Sequence, residues 1–385
     1  MTCERWAVRL LRGLMVATLV PLTAQVVQAA DGVTASQILI GQTLTLQGGK
    51  NEYGAAVRAG VETAIAQANR SGGVGGRKLV FKVLDDDNKS EQAEANARQL
   101  VTQDKVVLLF GSIEGGPSTA VMKAAIDLKV PFFGPMAGSP TLREPHQPLV
   151  FPVRAEHKEE FRALMAQARS LGMTRVAFVR SDSETGQLHL ANVQRMAKEV
   201  GIAEVTDLPF KSDINDAQLA AMAQKIASGG VQMVFNHGGA GMYEKLVRQS
   251  RQVGVKAAFF GVNSGSTQLA KRLGDQAHGM IFSQVMPSPW ERKTPLTRAY
   301  QDAFNREKPG EALSYGSLEG YLTARALVEA LRLAGPNPSR ESFVSGLRNA
   351  ELNVEGTKIA YRSGEHAGMS LVDLSIVTSE GRFRH

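Results

Sequence analysis

The feature that most constrains this chain is an alternation that runs through it twice. A short apolar run ends in a small polar loop, and an amphipathic helical stretch follows. In the first pass the runs are ILIGQTLTL, KLVFKVLDDD, VVLLFGS and PFFGPMAGS; in the second they are RVAFVRSD, EVTDLPF, VQMVFNHGG and AAFFGVNSGS. Helical patterns such as EQAEANARQLVTQ, STAVMKAAIDL, LHLANVQRMAKEVG and MYEKLVRQSRQVG separate them. Neighbouring parallel strands need a crossover, and a helix supplies it, so the pattern predicts α/β architecture with parallel sheets. Two passes predict two Rossmann-like lobes in succession. A length of 385 residues accommodates two domains of about 150 residues each.

The expected boundaries follow the breaks in the pattern. Residues 31–153 plus 283–352 form lobe I, and residues 154–282 plus 353–385 form lobe II. FPVRAEH is the first crossing between lobes and GMIFSQVMPSP the second. The helical stretches LTRAYQDAFNRE and SLEGYLTARALVEALRLAG are expected to pack back on lobe I. Residues 53–69 are predicted helical, with Ala56, Ala59, Gly60, Ala64 and Ala68 giving one small-residue face. Ser90 is expected to cap the helix after it. The last segment, from TKIAYR to SEGRF, reads as strands with a Ser-Glu-Gly turn.

Residues 1–30 stand apart. Arg5, Arg9 and Arg12 precede an apolar run over 14–27, and small residues follow at Ala29 and Ala30. This is the pattern of a cleaved secretory signal, with the cut after Ala29 or Ala30. The apolar run is short of the ~20 residues of a membrane span and contains Pro21. The single cysteine, Cys3, would leave with the signal, so no disulfide, thiolate nucleophile or cysteine metal site is expected. The net charge of +7 includes Glu4 and the three signal arginines, leaving +5. The remaining charges are well mixed, which gives no support to nucleic-acid binding.

Motifs that carry chemistry fail in register. SGGVGGRK does not match G-x-G-x-x-G, and it follows a helix where a phosphate cradle must precede one. DDDN, from Asp85 to Asn88, lacks the Gly and Glu of an EF-hand loop, and those acids are read as ending a strand before a helix N-terminus. No histidine pair has H-E-x-x-H spacing, so neither metal nor cofactor is expected. His157 and Glu160 share a helical face and read as a solvated pair. His237 follows a strand at its carboxyl end, where a surface position and a site position are both open. In GVNSGS the serine Ser264 is one residue late for a nucleophile elbow.

What recurs is positional. TLQGG, FGSIEGGPS, FGPMAGSP, FNHGG and FGVNSGS all end strands in small or polar loops. Ligands of open parallel sheets bind outside those ends. Five such loops, spread over both lobes, predict a binding cleft between them.

These segments, with GVETAIAQANRSGGVGGRKLVFKVLDDD and VPFFGPMAGSP, resemble the periplasmic solute-binding proteins of branched-chain-amino-acid-type ABC transporters. The resemblance covers nearly the whole chain after residue 30. It implies two lobes joined by three hinge crossings, closure around a small molecule, no catalysis, delivery to an inner-membrane ABC permease, and a monomer in the periplasm. It also implies ligand contacts. Gly115 and Gly116 in one loop, and Ala137, Gly138 and Ser139 in the next, would hold a ligand carboxylate, with Tyr53 as an aromatic wall.

On lobe II the chain departs from the family pattern. Thr185 replaces a tyrosine, and Gly239 stands where an aromatic is common. Asn263 stands where amino-acid binders carry an acid for the ligand ammonium. An amide brings no charge to pair with a buried cation. The expected ligand is therefore a carboxylate-bearing or neutral polar solute rather than a leucine-like amino acid, held also by Asn236 and His237. Two other classes stay open: a sensing module for a signalling partner, and an enzyme, either a hydrolase using Ser264 or a dinucleotide enzyme.

Overall fold

The computed structural model describes residues 31–46, 51–211 and 213–385. The expected signal and the end of the TLQGG loop lie outside the described residues.

Five parallel strands form the first sheet: β1 (Gln37–Leu44), β2 (Lys78–Asp85), β3 (Leu109–Phe110), β4 (Phe132–Phe133) and β5 (Val150–Phe151), in the order β2-β1-β3-β4-β5. The second sheet takes β6 (Arg175–Ser181), β7 (Glu204–Phe210), β8 (Met233–His237), β9 (Ala258–Gly261) and β10 (Ile281–Gln284) in parallel. The C-terminal strands β11 (Glu351–Val354), β12 (Thr357–Arg362) and β13 (Glu365–Gly368) make a small antiparallel sheet. Then β14 (Asp373–Val377) and β15 (Phe383–Arg384) add antiparallel to β10, giving the order β15-β14-β10-β9-β8-β6-β7. Strand order reverses beside β1 in one sheet and beside β6 in the other. At such points loops diverge and leave a crevice at the carboxyl ends.

Each sheet is buried on both faces, which is why its strands read as apolar runs rather than alternating ones. The helices Glu52–Arg70, Pro295–Glu307 and Tyr315–Leu333 cover one face of the first sheet, and Ser90–Thr102 and Gly115–Asp127 cover the other. In the second sheet Asp216–Ser228 and Ala240–Gln252 lie opposite His157–Ser170 and Glu184–Val200. The small-residue face of the first helix has a definite use. A Cβ on Gly60 would lie 1.9 Å from Ser317 O, and one on Gly320 would lie 2.1 Å from Val57 O. Helices Glu52–Arg70 and Tyr315–Leu333 therefore meet backbone to backbone.

Three expectations shift. Lys89, not Ser90, is the N-cap of Ser90–Thr102, and no side chain caps that end. The second crossing follows Gln284, because the apolar run before it is β10 of the second sheet. Leu352, Val354, Ile359, Tyr361 and Met369 pack into the first core. Residues 353–369 thus belong with the first sheet, and the chain crosses a third time between β13 and β14. The crossings are tied together: Met369 N donates to Val153 O at 2.8 Å.

Candidate functional site

Loops from the carboxyl ends of both sheets face each other across one cleft. Its outer part encloses about 470 Å³, between Asn51, Tyr53 and Glu114 of the first lobe and Gly239, Ser264 and Arg272 of the second. Inward it narrows to a recess of about 30 Å³ lined by Gly115, Ala137, His157, Asn236 and His237. At the mouth, Glu52 of the first lobe pairs with Arg272 of the second, and Glu244 holds the same guanidinium at 2.6 Å.

The structure thus places Tyr53, Gly115, Ala137, Asn236, His237 and Gly239 around one space. Gly239 is left-handed, with φ +62°, and starts the helix Ala240–Gln252. Asn236 donates its side-chain amide to Gly238 O at 2.9 Å, which fixes the turn. Thr185 closes on the opposite loop, since a Cβ on Gly115 would meet Thr185 Cγ2 at 3.8 Å.

The remaining expected residues are placed differently. Ser139 is fully buried, and its hydroxyl lies 2.9 Å from Thr141 Oγ1. Thr141 in turn bonds Thr119, which donates to Gly115 O. Gly138 packs on the start of helix His157–Ser170, where a Cβ would be 2.7 Å from His157 N. Gly116 is exposed beside Ser90. Asn263 is buried; its Nδ2 donates to Glu319 Oε2, and its Oδ1 has no hydrogen-bond partner among the described residues.

Asn263 turns toward a charged network that the sequence reading missed. Arg154, in the first crossing, is fully buried, as are Glu160 of helix His157–Ser170 and Glu319 of helix Tyr315–Leu333. Arg154 Nη2 donates to Glu160 Oε2 at 2.5 Å, and Nη1 lies 3.6 Å from Glu319 Oε1. Glu160 Oε1 accepts from Asn263 N and from Ser283 Oγ, each at 2.9 Å. Glu319 Oε2 accepts from Tyr53 Oη at 2.5 Å and from Asn263 Nδ2 at 2.9 Å. Buried charges persist only when paired and hydrogen-bonded, and here one arginine serves two carboxylates from opposite lobes. Burial alone would lower Arg154, but Glu319 and Glu160 outweigh it and hold the guanidinium charged. Burial would raise Glu160, yet Arg154 and His157 bring it down to about 2. Burial leaves Glu319 above the ordinary carboxylate range despite Arg154.

The sequence does carry a signal for this network. Glu319 is a lone acid among Leu318, Gly320, Tyr321 and Leu322 on an otherwise apolar helix turn.

The pair His157 and Glu160 is buried rather than solvated, with Nδ1 to Oε2 at 2.6 Å. The spacing identified a shared face, but that face turns inward against Gly138 and the second sheet. His237 is also buried, and its ring centroid lies 3.7 Å from that of His189 and 4.7 Å from that of His157. Burial and the neighbouring histidines hold His237 and His189 well below the usual histidine range. Among the described residues no cluster of histidines and acids is arranged to hold a metal. Ser264 Oγ accepts from Arg154 Nη1 at 3.2 Å. No histidine is bonded to that hydroxyl among the described residues.

Comparison with known proteins agrees with this architecture. The family model for periplasmic binding proteins matches residues 37–381. The Leu/Ile/Val-binding protein homolog 1 of Brucella abortus is 25% identical over 322 residues, covering 81% of this chain and 83% of the relative. The leucine-, isoleucine-, valine-, threonine- and alanine-binding protein of Pseudomonas aeruginosa is 25% identical over 310 residues, covering 80% and 81%. The crystal structure of an extracellular ligand-binding receptor from Verminephrobacter eiseniae is 27% identical with a TM-score of 0.81, covering 91% of this chain and all of that one.

Proposed function

Because the chain belongs to the periplasmic binding protein family, of the branched-chain amino acid transporter type, we propose that it captures one small organic solute between its lobes and hands it to an ABC permease in the inner membrane. One observation carries this reading: loops at the carboxyl ends of two parallel sheets enclose a single cleft of about 470 Å³, which is the size of a small-molecule site. Closing such a cleft removes water and strengthens every polar contact inside it. The open and closed states also give a permease two shapes to distinguish. The same fold used as a sensor would bind its solute in the same cleft, and uptake by cells lacking the gene separates the two uses.

The ligand is a small polar solute other than a leucine-like amino acid. The Pseudomonas relative is described as binding five amino acids. In this chain the place expected for the ammonium partner holds Asn263, which brings no charge, and its Nδ2 is used on Glu319. Isothermal titration of purified protein with leucine, isoleucine and valine tests the ligand clause, and sub-micromolar binding of any of them overturns it. A thermal-shift screen against small amides, amines and carboxylates tests the receptor reading, because a true ligand raises the melting temperature by mass action.

A further inference from the structure

Glu114 stands where the first lobe would cradle a ligand carboxylate. It is the N-cap of helix Gly115–Asp127, and its side chain lines both the outer cleft and the inner recess. The other charges on the described lining are committed. Glu52 and Arg272 pair with each other, and the buried histidines His157 and His237 are held below their usual range, mainly by burial. The side chain of Glu114 has no hydrogen-bond or ion-pair partner within the described residues.

Beneath the cleft the charge that acts on Glu114 is the Arg154 guanidinium, which offsets part of the rise that burial imposes on its carboxyl. That guanidinium is already committed to Glu160 at 2.5 Å and lies 3.6 Å from Glu319. A helix N-terminus favours one negative charge, and Glu114 already supplies it. A ligand carboxylate placed there would meet a carboxylate in a site that closure shields from water, where like charges repel strongly.

The backbone adds a second observation. Glu114 has φ +67° and ψ 152°, a region that is essentially glycine-only and that costs of order 1–3 kcal/mol for other residues. Gly115 and Gly116 follow directly, yet the strained position itself carries an acid. Strain retained at a cleft wall is kept where the side chain is used.

From these observations we infer that the solute presents an N–H donor group, as an amide, urea or amine does, to the carboxylate of Glu114. Polarity at the first lobe is thereby reversed relative to a carboxylate cradle, and Glu114 becomes the specificity-determining residue. The inference rests on the receptor reading above and narrows its ligand to the nitrogen-bearing branch. It sets aside the carboxylate-bearing alternative expected from sequence.

The test uses matched pairs that differ only in the head group, benzamide with benzoate and butyramide with butyrate, together with butylamine and urea as unpaired charged and neutral donors. Each is titrated into purified protein by calorimetry. The inference expects a nitrogen member to bind and its carboxylate partner to bind at least about tenfold more weakly, the worth of a hydrogen bond to a charged group. Glu114→Gln should cost about tenfold or more against an amine and less against an amide, which assigns the head group as cationic or neutral. Glu114→Gly should abolish this preference while raising the melting temperature of the unliganded protein, because glycine relieves the backbone strain. A purely structural role for Glu114 predicts loss of stability instead. Binding of carboxylates alone overturns the head-group inference and leaves the receptor reading standing. Binding of no member of any pair overturns both. Equal binding by Glu114→Gly and wild type overturns the role of Glu114.

Discussion

Asn263 Nδ2 donates to Glu319 Oε2 at 2.9 Å, joining the loop after β9 in the second lobe to the long helix of the first. The same oxygen accepts from Tyr53 Oη, so one carboxylate is held from both lobes. Asn263→Asp would replace that donor with a second buried carboxylate. Denaturation in urea should show a loss of about 1–3 kcal/mol, the cost of an unsatisfied buried polar group. Glu319→Gln added to Asn263→Asp restores a donor and acceptor pair, so the double variant should recover part of the loss. Strict additivity of the two changes would mean that the contact carries no coupling.

Arg154 is the only cation within this buried network, and its removal leaves two carboxylates uncompensated. Arg154→Met should therefore cost about 3–5 kcal/mol, as breaking a buried pair does. Neutralising Glu160 and Glu319 together with Arg154 should return most of that stability, since well-packed neutral groups replace buried ions at little cost. A single Arg154→Met variant with wild-type stability in urea would show that the guanidinium is not balancing these acids.

The lobes were legible in the sequence because the central strands are buried on both faces and each crossover helix has one apolar stripe. Those are local patterns. The network was not legible, because its bonds join residues far apart in the chain: Tyr53 and Glu319 are 266 positions apart, and Asn263 and Glu160 are 103 apart. The surroundings of the other expected residues have physical reasons. Spacing put His157 and Glu160 on one face, but only the loop carrying Gly138 decides that this face is covered. Asn263 was expected at the ligand, and its Nδ2 meets Glu319, a partner 56 positions away that no local pattern announces. Ser139 offered a hydroxyl to the cleft, but Thr141 lies two residues on and takes it.

The backbone contact of helices Glu52–Arg70 and Tyr315–Leu333 predicts intolerance at its glycines. A methyl group on Gly320 would lie 2.1 Å from Val57 O, which is backbone and cannot swing aside. Gly320→Ala should cost about 1–3 kcal/mol or more through overpacking. Gly172 is the control, since it meets nothing within 4 Å. It has φ +78°, so Gly172→Ala should lose only the smaller backbone term. Melting temperatures of the two variants give the comparison, and equal losses would remove the packing argument.

The histidine cluster makes a contribution of definite sign to the pH dependence. His189 and His237 are buried together, and neither ring nitrogen of His189 has a hydrogen-bond partner. Burial holds both well below the usual histidine value, so both stay neutral in the folded protein as the pH falls through about 6.5. The unfolded chain takes up those protons in that window. At these two sites it then binds more protons than the native state, so their contribution to stability is complete above about pH 6.5 and declines below it, by up to about 1.4 kcal/mol per pH unit for each group. His157, also lowered by burial, adds to the same slope. Glu160 stays ionised down to about 2 and Arg154 stays charged, so neither contributes in this range. Burial raises the carboxyls of Glu319, Glu114 and Glu156, and these act in the opposite sense as the pH falls. The histidine contribution is therefore read as the difference between the melting-temperature profiles of the wild type and a histidine variant from about pH 7.5 to about pH 5. His189→Leu removes an ionisable ring whose nitrogens make no bonds. It should leave stability near neutrality unchanged or higher and make the decline shallower. An unaltered decline in that variant would assign the acid sensitivity to groups outside the cluster.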